Sequence, residues 1–124
     1  MIHSIGIDLV AVDRIRFLAE RHGDRFLKRV YGPRELEILD NRHDRYPFLA
    51  GRFAAKEAAI KALGKFLTER PSFRQLEIVH DNTGQPLLLM SGDAAAKLHH
   101  VRSEVSISHE RSHAVAVVIL WEHA

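Results

Sequence analysis

The sequence predicts a single α+β domain in which a largely antiparallel sheet packs against helices. Its 124 residues, 46% of them hydrophobic and 27% charged, suffice for one core but not for two, so residues 1–124 are predicted to form one domain. The apolar patterns follow the order strand, helices, two strands, helix, two strands, which is typical of this class. Each of the two later strand pairs is joined by a short polar turn.

The first element is a strand over residues 4–12, a segment rich in β-branched residues. Alternation gives it two faces, one with Ile5, Ile7 and Leu9 and the other with Gly6, Asp8 and Val10. Asp8 is thus a carboxylate in a strand that otherwise resembles a core strand. It needs either access to the surface or a counter-charge.

Three helical segments are predicted next. Asp13 is a good N-cap for the first, and Gly23 is a plausible end. The second runs through residues 25–30. The third covers residues 33–41, because Pro33 suits a first turn, where its missing N–H would be unpaired anyway.

The main helix is predicted over residues 48–63, which are dense in helix formers, and Gly64 ends it. Its core stripe consists of Leu49, Phe53, Ile60 and Leu63. Lys56 falls inside this stripe, with Glu57 at its edge. Because burying an unpaired charge costs on the order of several kcal/mol, both side chains need partners, water or bound ions.

The remaining elements alternate between strands and a helix. Residues 72–81 and 86–90 form a predicted hairpin, and residues 92–101 form a short helix. Residues 105–108 and 114–121 form a closing strand pair. The last strand is apolar on both faces, which predicts that another element or another subunit covers its outer face.

The composition narrows the class of protein. The chain has no cysteine, which excludes disulfides, thiolate metal sites and cysteine nucleophiles. The lack of cysteine fits a reducing cytosol, and the N-terminus lacks the pattern of a signal peptide. No stretch approaches the roughly 20 apolar residues of a membrane span, so a cytoplasmic protein without a membrane partner is expected.

The net charge is only +2, but basic residues cluster within positions 14–29. Such a cluster can attract an acidic protein, a nucleic acid or an anionic membrane. A nucleic-acid-binding module is therefore an alternative interpretation. Aromatic stacking residues beside the arginines are limited to Phe17 and Phe26, and no nucleic-acid-binding signature is present, so no nucleic-acid partner is expected.

A second alternative arises from residues 109–113, His-Glu-Arg-Ser-His, which match the zinc-protease pattern. That pattern works only on a helix, where both histidines share a face. Apolar strand patterns flank this segment, so a hairpin turn is predicted instead.

Asp8 and Glu57, from different elements, together with Lys61 one turn further along the main helix, are what a Mg²⁺–phosphate site needs. Carboxylate oxygens bind the metal, and a lysine offsets the remaining phosphate charge. The simpler alternative is a surface ion pair between Glu57 and Lys61, worth about 0.3–0.5 kcal/mol.

Three blocks of the sequence, residues 6–10, 52–62 and 105–109, resemble the signature blocks of the holo-acyl-carrier-protein synthases. These enzymes are the small bacterial class of 4′-phosphopantetheinyl transferases. The resemblance spans nearly the whole chain, and its most specific part is the middle block, where Lys-Glu follows a phenylalanine and another lysine comes four residues after the glutamate.

The resemblance implies the 4′-phosphopantetheinyl transferase fold and a homotrimer with sites between subunits. It implies transfer of 4′-phosphopantetheine from coenzyme A to a serine of apo-acyl carrier protein, in support of fatty acid biosynthesis. Asp8 and Glu57 would then bind Mg²⁺, and Lys61 would contact the phosphates of coenzyme A. Arg52 and His109 would lie near its 3′-phosphate and Pro86 against its adenine.

The resemblance also places the carrier protein on the first helix. Arg14, Leu18 and Arg21 share one face there, and Arg25 continues the basic surface. The general base stays open, because Glu57 can accept the serine proton directly or through water.

The sequence departs from the family after the main helix, where Gly64-Lys65-Phe66 replaces a common Gly-Thr-Gly loop. Lysine and phenylalanine restrict backbone conformations that glycine allows. We expect Lys65 to reach a phosphate of coenzyme A and to replace lost backbone contacts. The alternative is that Phe66 packs into the core or a subunit contact and draws the loop away.

Overall fold

The computed structural model describes residues 2–122. Their strands are β1 (Ser4–Ala11), β2 (Leu76–His80), β3 (Pro86–Met90), β4 (Val101–His109) and β5 (His113–Glu122). Their helices are α1 (Val12–His22), α2 (Asp24–Val30), α3 (Pro33–Leu39), α4 (Arg45–Leu63) and α5 (Gly92–Lys97), with a 3₁₀ turn at Phe73–Gln75. The predicted α+β class and the order of elements are confirmed.

Both sheets within residues 2–122 are antiparallel. The larger sheet has the order β1-β5-β4, so the C-terminal strand lies in its centre. The smaller sheet is the β2–β3 hairpin. The predicted antiparallel sheet is therefore divided into two, which the sequence pattern did not reveal.

Helix α4 covers one face of the larger sheet and contacts both β1 and β5 along its length. A side chain at Gly6 would prevent this packing, because a Cβ there would lie 1.9 Å from the carbonyl oxygen of Ala58. Ser4 adds a buried hydrogen bond of 2.7 Å to the carbonyl of Ala62. The first strand is thereby held directly against the helix that carries Glu57.

The opposite face of the larger sheet is apolar and open on β1 and β5. Ile5, Ile7 and Leu9 on β1 are 63%, 58% and 65% exposed. They pair in register with Ile119, Val117 and Val115 on β5. The predicted alternation of β1 is confirmed, and its entirely apolar face is the one that α4 leaves uncovered.

Several predicted boundaries are wrong by a few residues. Helix α1 begins at Val12 and not after Asp13, because the buried Val12 donates its N–H to the carbonyl of Ser112 and so anchors the helix start. Asp13 lies in the first turn and caps nothing. Helix α4 begins at Arg45, since Pro47 sits in the first turn, where no N–H is needed.

The segment predicted as a strand from residue 72 instead begins with the 3₁₀ turn, so pairing starts at Leu76. No helix among residues 2–122 is long and apolar enough to cross a membrane.

Candidate active site

Asp8 and Lys61 form the first part of the candidate site. Asp8 is on the side of β1 that faces α4, and its side chain is 17% exposed. Lys61, in the last turn of α4, donates from Nζ to Asp8 Oδ1 at 3.1 Å and to the carbonyl of Ile7 at 2.9 Å. Asp8 therefore has the counter-charge that a carboxylate in a core strand needs.

Glu57 lies one turn before Lys61 on α4 and forms the second part. Its Oε1 is 3.4 Å from Nη2 of Arg70, in the segment that follows the helix. Among residues 2–122 no ion pair joins Glu57 to Lys61, so the simple surface pair suggested by their spacing is wrong. No sequence pattern pointed to Arg70, because an irregular segment has no periodicity from which to place a side chain.

These donors fit a magnesium ion. Carboxylate oxygens are the ligands that Mg²⁺ prefers, and Mg²⁺ is commonly held by one or two carboxylates plus phosphates and water. Residues 2–122 contain no group of three or more potential metal-ligating side chains. Asp8 and Glu57 together therefore suit a metal ion that shares its remaining positions with a phosphate-bearing substrate.

A second charged cluster surrounds Arg52. Its guanidinium lies 4.3 Å from the centre of the Phe48 ring, and its Nε is buried with no hydrogen-bond partner among the described residues. Arg42 donates to both oxygens of Asp44 and lowers the pKa of that carboxyl, and the charge of His109 acts in the same direction. Burial lowers the pKa of Arg52, while Asp44 opposes that shift. Asp44 is thus the residue on which Arg42 and His109 act and which in turn acts on Arg52.

Pro86 and Lys65 occupy positions outside these two clusters. Pro86 begins β3, opposite His80, and is half-buried. Lys65 donates from Nζ to the carbonyl of His3 at 3.0 Å. Phe66 is half-buried against the core, with its ring edge towards His3 at a centroid distance of 6.3 Å. Of the two possibilities for this loop, packing of Phe66 is observed, and a contact of Lys65 with a phosphate stays a prediction.

The predicted carrier-protein surface lies on α1 and α2. Arg14 and Arg21 are exposed, with the half-buried Leu18 between them. A groove between the two helices is lined by Leu18, His22, Arg25, Phe26 and Arg29. Of the four residues predicted to bind the carrier, Leu18 and Arg25 therefore line this groove, and Arg14 and Arg21 are exposed about one turn to either side of Leu18.

The segment with the zinc-protease pattern is a hairpin turn. His109 ends β4 and His113 begins β5. Glu110 Oε1 accepts hydrogen bonds from the backbone N–H and the hydroxyl of Ser112, which closes the turn. Since the pattern needs a helix, the zinc interpretation is wrong and the predicted hairpin is confirmed.

Sequence reasoning did not identify the partner of Lys56, the charged residue inside the core stripe of the main helix. It is 0% exposed, and its Nζ lies 2.5 Å from Oε1 of Glu35, which is 1% exposed. Burial lowers the pKa of Lys56 and raises that of Glu35, and the attraction between them opposes both shifts. Glu35 is predicted from sequence to lie on an ordinary short helix, so nothing in the pattern marked it as buried.

Comparison with known proteins shows which proteins this chain resembles. Residues 4–118 match the model of the 4′-phosphopantetheinyl transferase superfamily. The holo-[acyl-carrier-protein] synthase of Halorhodospira halophila is 47% identical over 97% of this chain and 98% of its own length.

Solved structures also resemble this chain in fold and sequence. The holo-[acyl-carrier-protein] synthase from Neisseria meningitidis superposes with a TM-score of 0.89 at 34% identity, over 98% of this chain and 100% of the other. The Chronobacterium ammoniagenes ACPS-CoA complex has a TM-score of 0.83 at 32% identity, over 98% of each chain.

Proposed function

The chain belongs to the 4′-phosphopantetheinyl transferase superfamily, and we propose that it transfers the 4′-phosphopantetheine group of coenzyme A to a serine of apo-acyl carrier protein. The products are holo-acyl carrier protein and adenosine 3′,5′-bisphosphate. The observation that carries the proposal is the placement of Asp8 on β1 against Lys61 on α4, one helical turn after Glu57. It supplies two carboxylates and a cation in a chain whose relatives include a coenzyme A complex.

Asp8 and Glu57 would hold Mg²⁺. The ion would offset charge on the pyrophosphate of coenzyme A, an effect worth several kcal/mol. Lys61 and Arg70 each pair with one carboxylate and are 53% and 61% exposed at their side chains. Both cations are therefore free to turn from a carboxylate to a phosphate oxygen when the site is filled.

In the reaction, the serine hydroxyl oxygen attacks the β-phosphate of coenzyme A. The new P–O bond forms as the bond to the bridging oxygen breaks, and adenosine 3′,5′-bisphosphate leaves. Glu57 accepts the serine proton, directly or through a water molecule. Lys61 offsets negative charge on the phosphates, so the protein acts mainly by positioning and by charge neutralisation.

The arrangement of α4 favours a site shared between subunits. Arg52 and Lys61 are nine positions apart, or about two and a half helical turns, so they project from opposite faces of the helix. One coenzyme A molecule bound at Lys61 would then take its Arg52 contact from a neighbouring chain. The open apolar face with Ile5, Ile7 and Leu9 supplies a surface for self-association, and we assign it to a closed trimer.

The basic surface on α1 and α2 is the proposed docking site for the acidic carrier protein. Arg14 and Arg21 steer the carrier by charge, and the groove beside Leu18 accepts an apolar side chain from it. Arg25 extends the same charge onto α2.

Mass spectrometry tests the transfer. Apo-acyl carrier protein is incubated with the chain, coenzyme A and Mg²⁺, and we expect its mass to rise by that of the phosphopantetheine arm. A carrier in which the acceptor serine is replaced by alanine is the matched control and should stay unmodified. An unchanged mass for the natural carrier would overturn the proposal.

A further inference from the structure

A buried charged network lies directly behind the candidate site and takes no part in the reaction described above. Lys56 directly precedes Glu57 on α4, yet its side chain points away from solvent into the interior. We propose that Lys56, held by Glu35, is a positioning residue that fixes the segment returning from α4 and so aligns Glu57 for metal binding. The inference rests on the proposed function.

The network is complete in its hydrogen bonds. Lys56 Nζ lies 2.5 Å from Glu35 and donates to the carbonyls of Phe73 at 2.9 Å and Leu76 at 2.8 Å. These three acceptors match the three protons of an ammonium group. Glu35 also accepts from the backbone N–H groups of Gly32 and Ile78, both at 3.0 Å.

The network joins the site helix to the chain that returns from it. The irregular segment after α4 runs through residues 64–72, and Arg70 in it reaches Glu57. Lys56 binds the carbonyl of Phe73 where that segment ends, and the Phe53 and Phe73 rings are 5.5 Å apart. The segment therefore continues from the end of α4 at Leu63 and is attached again to α4 through Lys56. These two points lie on either side of Glu57, which would hold the metal.

A gain in folding stability does not by itself explain why this buried network is charged. A buried ion pair replaced by apolar residues of similar volume often leaves stability unchanged or higher, because both charges must lose their water. An apolar pair would fill the space between α3 and α4. It would not donate hydrogen bonds to the carbonyls of Phe73 and Leu76. These two hydrogen bonds are therefore what a positioning role of Lys56 adds to simple packing.

The test compares the unmodified chain with Lys56→Met/Glu35→Leu, which removes both charges together and leaves no buried charge unpaired. Binding of Mn²⁺ in the presence of coenzyme A is followed by electron paramagnetic resonance, and kcat is measured separately. Circular dichroism and thermal melting confirm the fold. Residues that orient metal ligands typically alter metal affinity or activity by about ten- to one-hundredfold, and we expect a loss of this size in both readouts.

Tyr31→Phe is the matched control. It removes a buried hydrogen bond of 2.7 Å to the carbonyl of Leu49, also on α4 but two turns before Glu57. We expect it to lower the melting temperature while leaving Mn²⁺ affinity and kcat within about twofold, because the lost contact lies outside the returning segment and phenylalanine keeps the ring that lies 5.6 Å from Lys56 Nζ.

A folded Lys56→Met/Glu35→Leu variant with unchanged Mn²⁺ affinity and kcat would overturn the inference. If that variant does not fold, Glu35→Gln, which keeps the size of the side chain, replaces it, and unchanged values there would overturn the inference equally. Failure of the proposed function is a separate result, because the unmodified chain itself would then transfer nothing.

Discussion

At the scale of single residues, the site depends on carboxylates that are each paired with a cation. Asp8 is paired with Lys61 and Glu57 with Arg70, so neither carboxylate faces the core without a counter-charge. The same cations can later offset phosphate charge. This arrangement gives the site a defined structure before the proposed metal and coenzyme A would bind.

Replacing either carboxylate should abolish transfer. Asp8→Asn and Glu57→Gln keep the size of the side chain but remove the charge that Mg²⁺ needs, so we expect kcat to fall by at least about one hundredfold. A carrier-modification assay measures this loss, and excess chelator should do the same to the unmodified chain. Full activity in chelator would contradict the metal assignment.

The loop after α4 should tolerate the residues usual in the family. Lys65 is exposed, and its contact within residues 2–122 is a hydrogen bond to the backbone carbonyl of His3, which a phosphate can replace. Lys65→Thr/Phe66→Gly should therefore change the Michaelis constant for coenzyme A by less than about tenfold, or roughly 1.4 kcal/mol. A much larger gain in activity would mean that the packing of Phe66 impairs the loop.

At the scale of elements, the site exists because β1 and α4 touch at a glycine. Gly6→Ala would place a methyl group against the carbonyl of Ala58, and backbone atoms there cannot turn aside. We expect a loss of about 1–3 kcal/mol in the free energy of unfolding and a lower kcat, since Asp8 follows two residues later. Urea denaturation and the transfer assay measure the two effects.

Gly64→Ala is the matched control for Gly6→Ala. A Cβ at Gly64 would lie 3.4 Å from the carbonyl of Lys61, an ordinary contact. The free energy of unfolding should change by less than about 0.5 kcal/mol. Equal losses for the two variants would show that the approach of β1 to α4 is not the cause.

Helix α1 should act on the carrier protein and not on coenzyme A. Arg14→Glu and Arg21→Glu reverse charge on a steering surface, which mainly alters association and its salt dependence. We expect the Michaelis constant for the carrier to rise by at least about tenfold while that for coenzyme A changes little. Steady-state kinetics at two salt concentrations separate these effects, and equal weakening for both substrates would assign the arginines to the fold or the nucleotide site.

At the scale of the whole molecule, the sequence predicted the class and the order of elements, because both depend on local pattern, and a recognisable block in it is the source of the proposed site residues. Partners distant in sequence were not predictable. Glu35 is buried only because α3 docks beside α4, and Arg70 meets Glu57 only because an irregular segment returns. Likewise, the alternation of β1 is readable from the sequence. Which of its two faces α4 covers depends on the close contact at Gly6, which the sequence does not show.

Two features lead to one claim about subunit assembly: the open apolar face of β1 and β5, and the position of Arg52 and Lys61 on opposite faces of α4. In the proposed trimer, Asp8 and Glu57 of one subunit would act on a coenzyme A molecule that Arg52 of a neighbour would also bind. A chain lacking either part should then be inactive by itself, since every site in a uniform trimer would lack the same group.

Subunit complementation tests this claim most directly. Asp8→Asn chains and Arg52→Ala chains are assembled separately and also together from an equal mixture, and transfer to the carrier protein is measured. We predict that each alone is inactive, whereas random mixing restores about one quarter of the sites, because one neighbour pair in four combines an intact Asp8 with an intact Arg52. Mixed trimers, verified by native mass spectrometry, that stay as inactive as their parents would contradict a site shared between subunits.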